Sequence, residues 1–246
     1  MRFAVLTDIH ANREAFEAVL ADAAMRGADR IAILGDIVGY GPDPEWCVDK
    51  AAELVAAGAV CVRGNHDNAA AGAGEAMGGL ARKVIDWTTP RLSAAQRAFL
   101  AGLPMSATEG EVLFVHASAN DPRAWNYVTS DTTATGSFRA CAARVVLCGH
   151  VHIPLLASCD WGGVVRTQAF RMATPVPLIR SRRWLAVVGA VGQPRDGVAQ
   201  AGYALLDTDA QELTFRRVPY DTTRTVKRMR EAKLPEALAL RLIRGE

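Results

Sequence analysis

The chain has 246 residues, of which 50% are hydrophobic and 22% charged, with a formal net charge of +2. That balance fits a globular protein with a sizeable core; it excludes a disordered chain and gives no strongly basic face for stable nucleic-acid binding. No apolar run reaches the ~18 residues of a membrane helix, the apolar start is too short for a signal peptide, and the cysteines form no Cys-x-x-Cys pair, so a cytoplasmic protein that does not engage a membrane is expected.

In chain order, residues 2–7 read as a strand buried on both faces and closed by Asp8-Ile9-His10. Asn12 is read as the N-cap of a helix over 12–26. Ile31–Leu34 is a second strand ended by Gly35-Asp36, and after the loop Gly39–Pro44 a helix runs from Pro44 to Ala57, with Gly58 as its stop. A third strand, Ala59–Val62, leads into Arg63-Gly64-Asn65-His66-Asp67, read as a loop that Gly64 allows to turn sharply. This βαβαβ order predicts a parallel sheet with right-handed crossovers. Residues 68–82, rich in Ala and Gly, predict a loop and then a helix through Ile85 and Trp87, with another helix over Ser93–Leu103. Glu111–Val115 is a strand ending at His116, followed by a long polar loop, 117–130, and a helix over 131–142. The strand Arg144–Leu147 ends at Cys148-Gly149-His150-Val151-His152. Beyond residue 153 short β-rich runs at 163–169, 184–191, 202–207 and 212–218 predict antiparallel hairpins and a second sheet. Helices over 222–231 and 235–244 close the chain, the first with a solvated basic face of Arg224, Lys227, Arg228 and Arg230. One domain over residues 1–246 is expected, with the reactive blocks in 8–152 and second-sheet strands and terminal helices in 153–246.

All five histidines, His10, His66, His116, His150 and His152, stand shortly after the end of an apolar strand-like run. In an open α/β sheet such positions converge on one edge, where ligands bind. Asp8 and Asp36 hold equivalent positions. These residue types suit Mn, Fe, Zn or Ni, with Mn and Fe favoured, and the absence of a matching cysteine argues against a thiolate zinc site. If extended, Asp8-x-His10 and His150-x-His152 would each place two ligands on one side, because residues i and i+2 face alike. Two cations ~3.5–4 Å apart acidify a shared water and clamp phosphate oxygens.

Asp8-x-His10, Gly35-Asp36, Gly64-Asn65-His66-Asp67, His116 and Gly149-His150-x-His152 resemble, in order, the five blocks of the calcineurin-like metallophosphoesterases. Gly192-Gln193-Pro194-Arg195-Asp196-Gly197 and Tyr203–Asp207 resemble the tail of a compact bacterial branch of that family. The resemblance implies a four-layer α/β/β/α sandwich and a phosphoester hydrolase with two divalent or trivalent transition-metal ions. It implies one metal on Asp8, His10, Asp36 and His152, and the other on Asp36, Asn65, His116 and His150, with Asp36 bridging. His66 would protonate the leaving oxygen or hold the phosphate, Asn65 would also face the substrate, and Asp67 would orient the His66 imidazole. A metal-bridging hydroxide would attack phosphorus directly.

Arg195 is a further candidate for a substrate phosphate, and Tyr40 and Trp125 are loop aromatics that could wall the pocket. The substrate stays open between a nucleotide such as a dinucleoside polyphosphate, a small phosphodiester, and a phosphoserine or phosphothreonine in a protein. Arg166, Arg171, Arg180, Arg182 and Arg183 tilt the reading towards a polyanionic nucleotide. The competing readings are a serine/threonine protein phosphatase of the same fold and a non-catalytic binding scaffold; no oligomeric state is implied.

Overall fold

A computed structural model describes residues 1–73 and 77–246. Two six-stranded sheets pack face to face. The first contains β1 (Arg2–Leu6), β2 (Arg30–Ile33), β3 (Val60–Cys61), β9 (Val176–Pro177), β11 (Ala201–Asp207) and β12 (Glu212–Val218), in the order β3-β2-β1-β11-β12-β9. The second contains β4 (Ser106–Glu109), β5 (Val112–Val115), β6 (Val145–Cys148), β7 (Leu155–Cys159), β8 (Val165–Thr167) and β10 (Arg183–Val187), in the order β4-β5-β6-β10-β7-β8. The pairs β1·β2, β2·β3, β5·β6 and β6·β10 are parallel, and antiparallel strands complete both sheets.

Period-two alternation divides the core. Phe3 and Val5 face the second sheet and pack with Phe114, Leu147, Leu156 and Trp184. Ala4 and Leu6 face outwards onto α1 (Arg13–Met25), α2 (Pro44–Ala56) and α5 (Ala94–Gly102) through Phe16, Val48 and Leu100. On the far side, Val146, Cys148, Leu185 and Val187 meet Ala134 and Phe138 of α6 (Asp131–Ala140). The result is the expected α/β/β/α sandwich of two mixed sheets. A satellite cluster joins α4 (Gly79–Thr88), α7 (Thr222–Glu231) and α8 (Glu236–Arg244) through Val84, Met229 and Leu242.

Several elements differ from the sequence reading. Asn65-His66-Asp67 do not lie in a loop but open a short helix, α3 (Asn65–Ala70), with Gly64 at its N-cap. Strands β4, β7 and β9 went unrecognised; β4 and β9 lie at sheet edges and carry little apolar signal. The strand expected over 184–191 ends at Val187, pairs parallel to β6 on one side and antiparallel to β7 on the other, and so is no simple hairpin arm. The loop expected before α4 falls partly outside the described residues. The basic residues of α7 are not simply solvated: Arg224 and Arg228 reach Glu14, Arg228 also pairs with Asp43, and Arg230 pairs with Glu236. Asn12 caps α1, its Oδ1 accepting from the Ala15 N–H at 3.1 Å. Among the described residues no helix is long and apolar enough to cross a membrane.

Candidate metal centre

The loops after the parallel strands are stitched together by their backbones: Asp8 N–H donates to Gly35 O (3.0 Å), His10 N–H to Asp36 O (2.9 Å) and Gly149 N–H to His116 O (2.8 Å). The turns are tight. Asp8, His10, Asp36, His150 and His152 all have φ between 50° and 68°, the left-handed region that costs L-residues of order 1–3 kcal/mol each. Asp8-x-His10 and His150-x-His152 are therefore not the extended segments expected from the sequence. Their side chains converge because the chain curls at each residue, not because of strand pleating.

Two groups form at this edge. In the first, His10 Nε2 lies 3.1 Å from His152 Nε2, and Asp8 Oδ1 is 3.2 Å from His152 Nε2 and 3.8 Å from His10 Nε2. In the second, His116 Nε2 is 3.1 Å from Asn65 Oδ1 and 3.2 Å from His150 Nδ1. Asp36 Oδ2 stands between them, 3.7 Å from His10 Nε2 and 3.5 Å from His116 Nε2. His66 also approaches His10 and Asp36 closely enough for the three to share an ion.

The donor set fits cations. His10 Nδ1 faces Val38 O (3.1 Å), His116 Nδ1 faces Leu34 O (2.7 Å) and His152 Nδ1 faces Gln193 O (2.5 Å). Only a protonated nitrogen can donate to a carbonyl, so each Nδ1 carries the hydrogen and each Nε2 presents a lone pair. Lone pairs of His10 and His152 then face each other, and the buried Asp8 Oδ1 beside them has no hydrogen-bond partner among the described residues. The other Asp8 oxygen accepts from Thr7 Oγ1 and the His150 N–H, both at 2.9 Å. Burial, reinforced by neighbouring imidazoles, lowers the pKa of His66 and His150 to about 3 and that of His10 well below its ordinary value. Burial and the charges of Asp8 and Asp67 push Asp36 well above the usual carboxylate range. Burial also disfavours the Asp8 carboxylate; where His152, His116 and His10 carry protons, their charges outweigh it and hold Asp8 well below that range. Neutral imidazoles and crowded carboxylates are what cations at these two positions would relieve.

His66 lies over this centre with its ring edge-on to His10 (4.9 Å) and tilted against Tyr40 (4.6 Å). Its Nδ1 has no hydrogen-bond partner among the described residues. Asp67 does not orient it as expected. Asp67 Oδ1 accepts from the N–H groups of Ile37 (2.8 Å) and Val38 (3.2 Å), and Oδ2 from Gly64 (3.0 Å), so this carboxylate braces the loops instead. The His66 ring is positioned by Gly39, where any Cβ would collide with it.

Arg195 lines the pocket, its guanidinium 5.9 Å from the Tyr40 ring centroid and bonded through Nε and Nη2 to Gln193 Oε1 (3.2 and 2.7 Å). Trp125 is edge-on to His116 at 5.8 Å. The arginines after the metal blocks do not join the site: Arg183 is spent on the carbonyls of Phe138, Cys141 and Ala143, and Arg182 on Ser158, at the opposite end of β10. Sequence reasoning missed Tyr127, which stacks on His150, and the carbonyls of Leu34, Val38 and Gln193. Carbonyls carry no residue signature, and Tyr127 lies in a loop without periodicity.

A two-sheet sandwich with Asp, His and Asn side chains gathered at its strand ends defines a protein of the α/β/β/α class with a candidate metal centre. The family model for the calcineurin-like phosphoesterase superfamily domain matches residues 1–211, and the chain belongs to that family. It is 33% identical to an uncharacterised protein of Methanocaldococcus jannaschii, over 98% of this chain and 97% of that protein. A crystal structure of a metallophosphoesterase from Sphaerobacter thermophilus is similar to it with a TM-score of 0.88 and 38% identity, covering 100% of this chain and 99% of the other. A hypothetical protein from Pyrococcus horikoshii OT3 shares the fold, with a TM-score of 0.78 and 20% identity over 100% and 98% of the two chains.

Proposed function

We propose that the chain is a dinuclear phosphoester hydrolase acting on a small phosphorylated substrate, preferentially a nucleotide. The observation that carries the dinuclear reading is the position of Asp36 Oδ2, shared between a group of His10, His152 and Asp8 and a group of His116, His150 and Asn65. When bound there, two cations, Mn or Fe by preference, would supply an acidified water as nucleophile and a clamp for phosphate oxygens. The remaining work falls to side chains. His66 faces the shared edge from outside the two groups; the negative charge of a bound phosphate would raise its lowered pKa, and the imidazolium so formed would pass its proton to the leaving oxygen. Asn65 helps hold the phosphate through its amide, and Arg195 pairs with a non-bridging oxygen. The inter-sheet core combines Phe3 and Val5 with Trp184 and Leu213, which supports reading residues 1–246 as one domain. The five free cysteines agree with a reducing, cytoplasmic compartment.

The test is metal analysis with a substrate panel. Protein loaded with Mn²⁺ is expected to retain two ions per chain and to hydrolyse an aryl phosphodiester, with chelation abolishing the activity. Dinucleoside polyphosphates, cyclic nucleotides and phosphopeptides compared side by side rank the substrates. One tightly held ion, or none, would refute the dinuclear reading.

A further inference from the structure

The pocket over the two groups holds about 220 Å³, small beside the cavities that enclose whole ligands. It accommodates a phosphoryl group and its nearest atoms, so whatever the phosphate carries must lie across the rim. Tyr127 stands at that rim. Its ring stacks on the His150 imidazole, with centroids 4.3 Å apart and planes 16° from parallel. His150 is buried, yet Tyr127 remains 54% exposed. One face of an aromatic ring is thus held in a fixed plane by a candidate metal ligand while much of its surface is left to water. A rigid, partly wet aromatic of this kind provides contact area at low conformational cost. Arg195 lines the same pocket, its guanidinium plane set by the two bonds to the buried Gln193 side chain.

We infer that Tyr127 and Arg195 select the substrate: Tyr127 stacks a planar heterocycle attached to the phosphate, and Arg195 pairs with an anionic oxygen of the same molecule. The substrate class is then a nucleotide ester or anhydride and not a phosphorylated alkyl chain. The inference rests on the hydrolase reading above and adds a base-recognition site to it. Stacking between an aromatic side chain and a base changes affinity roughly 5- to 150-fold.

The test uses the full chain loaded with Mn²⁺ and two probes that differ only in the base, adenosine monophosphate and ribose phosphate, titrated calorimetrically. The wild type is expected to bind the nucleotide about tenfold or more tightly than the sugar phosphate. Tyr127→Leu should bring that ratio close to one, Tyr127→Trp should preserve it, and Arg195→Gln should weaken both probes alike. A wild type that does not discriminate, or a ratio unchanged in Tyr127→Leu, overturns the inference even if the protein hydrolyses phosphoesters. A wild type that binds neither probe and hydrolyses no phosphoester overturns the hydrolase reading and this inference with it. Metal content and circular dichroism of each variant separate a changed rim from a misfolded chain.

Discussion

His10 Nε2 and His152 Nε2 stand 3.1 Å apart while the Nδ1 of each ring faces a backbone carbonyl, so two lone pairs are held face to face inside the protein. A cation turns that repulsion into coordination. Metal-loaded protein should therefore be the more stable form. At an ion concentration ~100 times its dissociation constant the gain is about 2.7 kcal/mol. For a chain of this size that corresponds to a rise in Tm of roughly 5–10 °C. Thermal melts with Mn²⁺ and with chelator measure it, and identical melts would contradict it.

The metal-free protein should lose stability on acidification. The pKa values of His66 and His150 are lowered to about 3 from an unfolded value of 6.5, so between those limits the unfolded chain binds more protons and stability falls as pH falls. His10 and His116, also lowered by burial, act in the same direction. Asp67 and Asp43, each raised by burial to about 6, and Asp36, raised well above its range, act in the opposite sense. Four imidazoles against three carboxylates set the expected direction. Urea midpoints in chelator should decline from pH 7 to pH 4; a midpoint that rises on acidification would show that the carboxylates dominate.

His66 and Asp36 should separate catalysis from metal retention. Loss of a general acid costs typically 10²–10⁴-fold in rate. His66→Gln should pay that penalty in kcat while keeping its metal. Asp36→Asn replaces the oxygen shared by both groups and should lose metal and activity together. The pairing of turnover with metal analysis decides between them, and a fully active His66→Gln would remove its role.

Gly39→Ala tests how His66 is placed. Gly39 has φ 92°, and a Cβ there would overlap the His66 ring. The expected outcome is a drop in kcat comparable to that of His66→Gln, a stability loss of roughly 1–3 kcal/mol from backbone strain, and normal metal content. An active, stable Gly39→Ala would show that the ring can move freely.

Arg217 of β12 pairs with Asp196 and donates to Gln200 O (3.1 Å), tying down the loop that presents Gln193 O to His152 and the Gln193 side chain to Arg195. Removing one partner of a fully buried pair typically costs about 3–5 kcal/mol, and this pair is partly buried. Arg217→Met should lose less than that in urea denaturation and raise KM, and adding Asp196→Asn should recover part of the stability because no charge is then left unpaired. Additive losses in the double variant would show that the pair is not coupled.

The fold class and the site's location were legible in the sequence because both follow from local pattern. Alternating strand and helix signals specify a parallel sheet, and a parallel sheet sends whatever ends its strands to one edge. Asp8, Asp36 and the five histidines could therefore be brought together from the sequence alone. Which face each side chain would present could not, since five of these positions sit at left-handed φ that non-glycine residues seldom adopt. Tertiary structure also decided the work of Asp67, the closeness of His10 to His152, and the stack of Tyr127 on His150. These relationships depend on backbone amides and carbonyls, or on residues far apart in the chain, and neither leaves a mark on residue order. Composition and spacing determine which groups can react; the turn of each loop determines which of them meet.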